Sequence, residues 1–218
     1  MMLGQDGVDH LNIWNCGETA LGAFLDQRTQ AAFIHNLLGR FCSIESFWKY
    51  VLSAERYDEI RSLSGRRLRN FERRLTRAEV YNFRAIIMDA NWQKLQQYPR
   101  WAEMLKDSAL KLECYYIYKR EDGIRIRPDC GPWLISGFEE IRKALQEDRL
   151  PNFQFLKNRP QLSIVECLKF PKLPDAEAFN SEEEQELIAL SQNLLNAESD
   201  AEMHTDTGLD QGLLTEFQ

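Results

Sequence analysis

The sequence predicts a predominantly α-helical, compact domain with a small β-hairpin and an acidic, flexible C-terminal tail. Three observations predict it. Apolar residues recur at helical spacing in several separate segments. One stretch near the middle switches to a period of two. From Leu173 onward the chain carries twelve acidic and no basic side chains, a composition that solvates rather than folds.

The first 35 residues carry mixed signals. Leu11, Ile13 and Trp14 alternate with polar neighbours like a short strand. Ala20 to Phe24 and Ala31 to Leu38 suit short helices or an irregular loop. Gly39-Arg40-Phe41-Cys42 reads as a loop leading to Ser43, a natural N-cap. The helix it opens bears an apolar stripe of Ile44, Phe47, Trp48 and Val51. Ala54–Ser64 suits a further short helix ended near Gly65. Over Arg66–Thr76, Leu68, Phe71 and Leu75 line one side while Arg66, Arg69, Arg73 and Arg77 line the other. Thr76–Tyr98 reads as the longest helix, broken by Pro99, with Trp101–Leu110 following. The period then changes. Glu113–Lys119 and Ile124–Arg127, joined by Arg120-Glu121-Asp122-Gly123, predict a hairpin. Trp133–Leu145 returns to an amphipathic helix.

Beyond it, Leu162–Phe170 suits a strand or short helix, Ser181–Asn196 has a helical stripe, and Glu198–Gln218 is polar and expected to be disordered. The expected organisation is a domain over residues 1–150, a proline-containing extension packed on it over 151–172, and an acidic tail over 173–218, part helix and part disordered.

The net charge of −7 conceals an asymmetry. Without the tail, 27 basic side chains face 22 acidic ones, leaving the first 172 residues at +5. No apolar run of about 18 residues exists, so no membrane span is expected. The first residues lack a basic region followed by an apolar core, so no secretory signal is expected. Five cysteines, odd in number and scattered without a CxxC, argue against a zinc site and a disulfide framework. Reduced thiols in a cytoplasmic protein are the simplest account. The chain has no P-loop, GxGxxG or GxSxG motif.

Glu45 is the leading chemical candidate. It lies in a first helical turn beside an aromatic stripe, where burial can tune a carboxyl group. The plainer account is an acid placed to suit the helix dipole and an i,i+4 pair with Lys49. The arginine stripe can grip phosphates, can be a solvated face, or can hold the acidic tail.

Taken in order, these segments resemble the NADAR (NAD and ADP-ribose associated, YbiA-like) family over about residues 9–147. The likeness runs from Asp9-His10-Leu11-Asn12-Ile13 and Leu21-Gly22-Ala23-Phe24-Leu25 through Ser43-Ile44-Glu45-Ser46-Phe47-Trp48. It continues with Arg61-Ser62-Leu63-Ser64-Gly65, Phe83-Arg84, Ala90, Lys94-Leu95, Pro99 and Tyr115-Tyr116, and ends at Trp133, Arg142 and Leu145. The resemblance implies a mainly helical domain with a pocket for ADP-ribose-like or related N-glycosidic ligands. It implies hydrolysis of an N-glycosidic bond, as family members release ADP-ribose from guanine in nucleic acid or act on riboflavin-pathway intermediates. The family's key carboxylate maps onto Glu45. Asp129, ahead of Trp133 where members carry Asp-x-x-Trp-Gly, maps as a second carboxylate. With that assignment Trp48 would wall the site, Arg66, Arg69 or Arg73 would hold a pyrophosphate, and Arg28 and Trp133 join them as candidate substrate-binding residues.

The chain departs from the family's pattern at Asp26-Gln27-Arg28, where many members read Ser-Asn-Phe, and at Cys114, where a His is usual. Three functions therefore compete: an N-glycosidase, a degenerate module that binds ADP-ribose or NAD without turnover, and a nucleic-acid-associated interaction protein. The expected partners are an ADP-ribose-like or nucleotide ligand and ADP-ribosylated nucleic acid. None calls for a metal, cofactor or membrane, and oligomeric state is left open.

Overall fold

One helix, Phe83–Gln97, is buried on nearly every side, and the other elements are arranged about it. The computed structural model describes residues 4–117 and 125–158. In chain order the elements are β1 (His10–Asn12), α1 (Ala20–Leu25), β2 (Phe33–His35), β3 (Gly39–Phe41) and α2 (Ile44–Leu52). A 3-10 turn (Asp58–Ser62), α3 (Gly65–Glu72), α4 (Phe83–Gln97) and α5 (Pro99–Asp107) follow. The series ends with β4 (Lys111–Glu113), β5 (Tyr116–Ile117), β6 (Arg125–Ile126), α6 (Gly131–Gln146) and a 3-10 turn (Gln154–Leu156). The described part is mainly helical, with three two-stranded sheets. No helix among the described residues is long and apolar enough to cross a membrane.

Helix α4 buries Ala85, Ile86, Ile87, Met88, Ala90, Asn91, Lys94 and Leu95. Residues so spread around the axis leave no single polar face, as expected of a central helix rather than a surface one. It touches β2, α2, α5 and α6. The crossing with α6 is close because Gly137 lacks a side chain. A methyl there would sit 2.5 Å from Met88 Cγ, so even alanine would displace the buried Met88 side chain.

Sheet pairing departs from the expected hairpin in an instructive way. β1 pairs in parallel with β4, Leu11 opposite Leu112, across about a hundred residues of chain. Asn12 fastens this ladder from its side chain, donating to the Tyr115 carbonyl (3.1 Å) and accepting from the Tyr115 N–H (3.0 Å). The expected hairpin arms survive only as β5 and β6, Tyr116 opposite Ile126; the residues between them lie outside the described ones.

Several boundaries differ from expectation. Ala31–Leu38 and the loop before Ser43 form a β-hairpin, with Phe33 opposite Phe41. Gly39, at φ +73°, supplies its turn. Gly65, at φ +52°, opens α3 instead of ending the preceding turn, and α3 stops at Glu72. The long helix starts only at Phe83, after Asn82 in the left-handed region. Residues 76–78 instead run beside the end of α2, with the Ala54 N–H on the Thr76 carbonyl (2.9 Å) and the Ala78 N–H on that of Leu52 (2.7 Å). Pro99 behaves as expected, ending α4 and starting α5 at its first position. Of the extension, Phe153 is buried in the core. The readings for Leu162–Phe170, Ser181–Asn196 and Glu198–Gln218 lie outside the described residues.

His35, at the end of β2, is fully buried and stacks on Phe47 with ring centroids 4.8 Å apart. Its Nδ1 accepts the Leu37 N–H (3.2 Å), which leaves the proton on Nε2. Nε2 faces Asp89 Oδ2 at 3.7 Å, too far for a hydrogen bond. Burial, with Arg61 nearby, pulls the imidazole pKa down to about 4. The ring is therefore neutral at pH 7, and the pair is not an ion pair there. Because the folded pKa lies below the unfolded 6.5, the unfolded chain takes up the proton first as pH falls. Stability should drop between pH 6.5 and 4 by on the order of 3 kcal/mol from this residue. His35→Asn, which can keep an acceptor for Leu37, should be less stable at pH 7 by about 1–3 kcal/mol through lost packing. Chemical denaturation across that range should nevertheless show a flatter decline; an unchanged slope would contradict the assignment.

Candidate functional site

The start of α2 is built from its caps outward. Ser43 Oγ accepts the Ser46 N–H (3.1 Å), and Ser46 Oγ returns a bond to the Ser43 N–H (3.2 Å). Both serines are fully buried. The Glu45 N–H is taken by the Gln27 carbonyl at 2.7 Å. The orphan donors of this helix start are thus satisfied without a carboxylate.

Glu45 itself is half-buried, and its carboxyl group has no hydrogen bond or ion pair among the described residues. Burial raises its pKa; Lys49, Arg28 and Arg69 pull the other way, while Asp26 adds to the rise. The helix dipole favours the charged form by about 0.3–1 kcal/mol, opposite to the direction in which burial pushes. The expected i,i+4 pair does not form, because Lys49 Nζ sits 2.5 Å from Glu72 Oε1 across on α3. The plainer account of Glu45 keeps the helix dipole, since Glu45 stands in the first turn of α2, and loses the lysine, which is paired with Glu72.

The segment that holds Glu45 is Asp26-Gln27-Arg28, anchored from α4. Gln27 and Asn91 join amide to amide, the Asn91 Nδ2 donating at 3.1 Å, and Asn91 also donates to the Ile87 carbonyl (2.8 Å). Asp26, 5% exposed, accepts the Asn15 and Arg28 N–H groups and both fork nitrogens of Arg28, Nε at 3.0 Å and Nη2 at 2.8 Å. Arg28 lies over the Tyr116 ring, 4.9 Å from its centroid. Lys94 is fully buried, donates to the Phe24 carbonyl (2.7 Å) and stands 4.1 Å from the Phe24 ring centroid. Burial lowers its ammonium pKa to about 7, with the Asp26 charge opposing.

Cys114 and Cys130 border the same cluster. Burial pushes the Cys114 thiol up to about 12 and raises Cys130 as well, so neither is an activated nucleophile. Among the described residues no group of His, Cys, Asp and Glu converges as metal ligands do.

Of the expected site residues, the fold gathers Glu45, Arg28 and Arg69. Trp48 and Trp133 meet with centroids 5.5 Å apart, and Phe83 stands edge-on to Trp48 at 5.0 Å. Trp133 is 8% exposed and serves the core, whereas Trp48 is half-buried and walls a cleft of about 340 Å³ with Lys49, Leu52, Ser53, Glu72, Leu75 and Arg77. Arg66 and Arg73 are exposed, on α3 and at its C-cap. Asp129 is exposed on the turn before α6, where its charge acts on Cys130, which also feels Asp26 and Arg28. A second, wider concavity of about 760 Å³ lies between α1 and α5. Glu45 lines neither of these two. The sequence reading missed Asp26 as a hub, along with Gln27, Asn91, Lys94 and Tyr116. The signals were the Asp26-Gln27-Arg28 triplet, with its two charges, and the Lys94-Leu95 and Tyr115-Tyr116 blocks, which spacing alone does not bring together.

The raised Glu45 pKa fixes a sign. A carboxyl with a folded pKa above its unfolded one favours the fold at low pH and costs stability as pH rises through the folded value. Glu45→Gln should therefore melt higher than the parent at pH 7, by roughly 1–3 °C. The gap should close as pH is lowered through the native carboxyl's titration. A lower melting temperature at pH 7 would mean that the charge supports the fold.

No family model, curated protein or solved structure matched this chain.

Proposed function

We propose that this chain is a divergent NADAR-type N-glycosidase that hydrolyses the bond between ribose C1′ and nitrogen in an ADP-ribosylated base or related nucleotide. The observation that carries the reading is Glu45, a half-buried carboxyl group with a raised pKa and no structural partner among the described residues. Unpartnered, perturbed acids cluster at reactive sites. A carboxylate of raised pKa is the better base.

In the reaction the C1′–N bond breaks with its electron pair going to the base, which takes up a proton from solvent, balanced when Glu45 later releases to solvent the proton it takes from water. The sugar passes through an oxocarbenium-like state. Water adds its oxygen to C1′ and gives a proton to the Glu45 carboxylate, whose charge also steadies the cationic sugar. Arg69 and Lys49 supply positive charge close to Glu45, suited to a phosphate of the ligand.

A second reading, a module that binds ADP-ribose or NAD without turnover, is favoured by two observations. The fork of Arg28 is already occupied by Asp26, and Glu45 lines neither described concavity. A third, nucleic-acid association, draws on exposed Arg66, Arg67, Arg69, Arg73, Arg74 and Arg77.

Chromatographic release of ADP-ribose from an ADP-ribosylated guanine oligonucleotide, beside calorimetry with ADP-ribose and NAD, separates these readings. The parent should release product and Glu45→Gln should be slower by about 100-fold or more. Parent-like release by Glu45→Gln refutes the catalytic assignment. Binding heat without product selects the binding module.

A further inference from the structure

We propose that the cleft beside Trp48 is a binding site for a nucleoside monophosphate, with Trp48 as platform for the base and Arg77 as its anion-holding end. At about 340 Å³ the cleft falls at the lower end of small-ligand sites, a size suited to one nucleotide rather than two.

Its walls divide by chemistry. Trp48, Leu52 and Leu75 form the apolar part, while Lys49, Glu72 and Arg77 bring the charge. Phe83 edge-on and Trp133 tilted against it fix the Trp48 ring, so an incoming flat heterocycle meets a platform already ordered. Aromatic platforms take any base face and reward it by stacking. On the charged side, Glu72 answers Lys49 at 2.5 Å. Arg77 is exposed and has no ion pair among the described residues. The three charges leave the cleft at net +1, with an unspent guanidinium whose planar fork suits a phosphate.

The Arg77 backbone is not a loose loop. It bridges to Ser53, and its neighbours on both sides bond to the segment ending α2, through Thr76 to Ala54 and Ala78 to Leu52. The cation is thus held at the rim by backbone pairing.

The cleft also has a relation to Glu45. Trp48 and Lys49 follow Glu45 by three and four residues on one helix, hence one turn away, and the Lys49 charge reaches the Glu45 carboxyl. Within the proposed N-glycosidase, the cleft would take one nucleotide end of the substrate; the binding site itself does not require that Glu45 be catalytic.

Calorimetry of the full chain with AMP, adenosine and inorganic phosphate tests the site. AMP should bind saturably, with adenosine and phosphate each at least tenfold weaker. Arg77→Ala should weaken AMP by fivefold or more, and Trp48→Leu by tenfold or more. Because Trp48 packs on Trp133, Trp48→Phe serves as the folded control and should bind AMP within about threefold of the parent. No saturable AMP heat at millimolar concentration overturns the proposal, as does parent-like affinity in Arg77→Ala. AMP binding without ADP-ribose release leaves this site standing and refutes the glycosidase. Glu45-dependent release without AMP binding does the reverse.

Discussion

The Glu45 N–H bond to the Gln27 carbonyl joins two parts of the chain that sequence order keeps apart. It sets the loop after α1 against the first turn of α2, where the candidate site lies. The loop cannot drift, since Gln27 is paired with Asn91 on the central helix and Asp26 is closed on itself by Arg28 and the Asn15 N–H. Removing any one of these ties would free the segment that shapes the surroundings of Glu45, without touching the carboxyl group itself.

Charge is handled differently at the two ends of this arrangement. Asp26 is buried and neutralised by a two-pronged guanidinium, the geometry in which a buried carboxylate is tolerable. Lys94, equally buried, has one carbonyl and the face of Phe24, and its proton is correspondingly less firmly held. Glu45 has neither kind of support. Asp26 is thus satisfied by protein partners, whereas the half-exposed Glu45 carboxyl has no hydrogen bond or ion pair among the described residues and meets solvent on its open side.

Local signals were legible and distant ones were not. The Ser43 cap, the apolar stripe of α2, the restart at Pro99 and helix α6 were written in adjacent residues, and all appear. The β2–β3 hairpin was hidden because Ala31–Leu38 is apolar enough to pass for a helix, although Phe33, Ile34 and His35 already alternate buried, exposed, buried. The start of α4 was misplaced because Asn82 breaks the helix by a backbone conformation that spacing does not reveal. The parallel pairing of β1 with β4 and the transfer of Lys49 from Glu45 to Glu72 depend on tertiary neighbours, which override local pairing rules. For the site, the candidate acid could be picked from its place beside an aromatic stripe. The cluster around Asp26 could not, since its members come from α1 and the loop after it, from α4, from the turn before α6 and from the β5 region, and meet only on folding.

The account rests on a carboxyl group held protonated more tightly than an exposed one by burial, against the pull of Lys49, Arg28 and Arg69. A carbon-13 NMR titration of the side-chain carboxyls, with Glu45→Gln used to assign the signal, measures this directly. The account predicts a Glu45 midpoint above those of the exposed glutamates in the same spectra. A midpoint at or below theirs would contradict it.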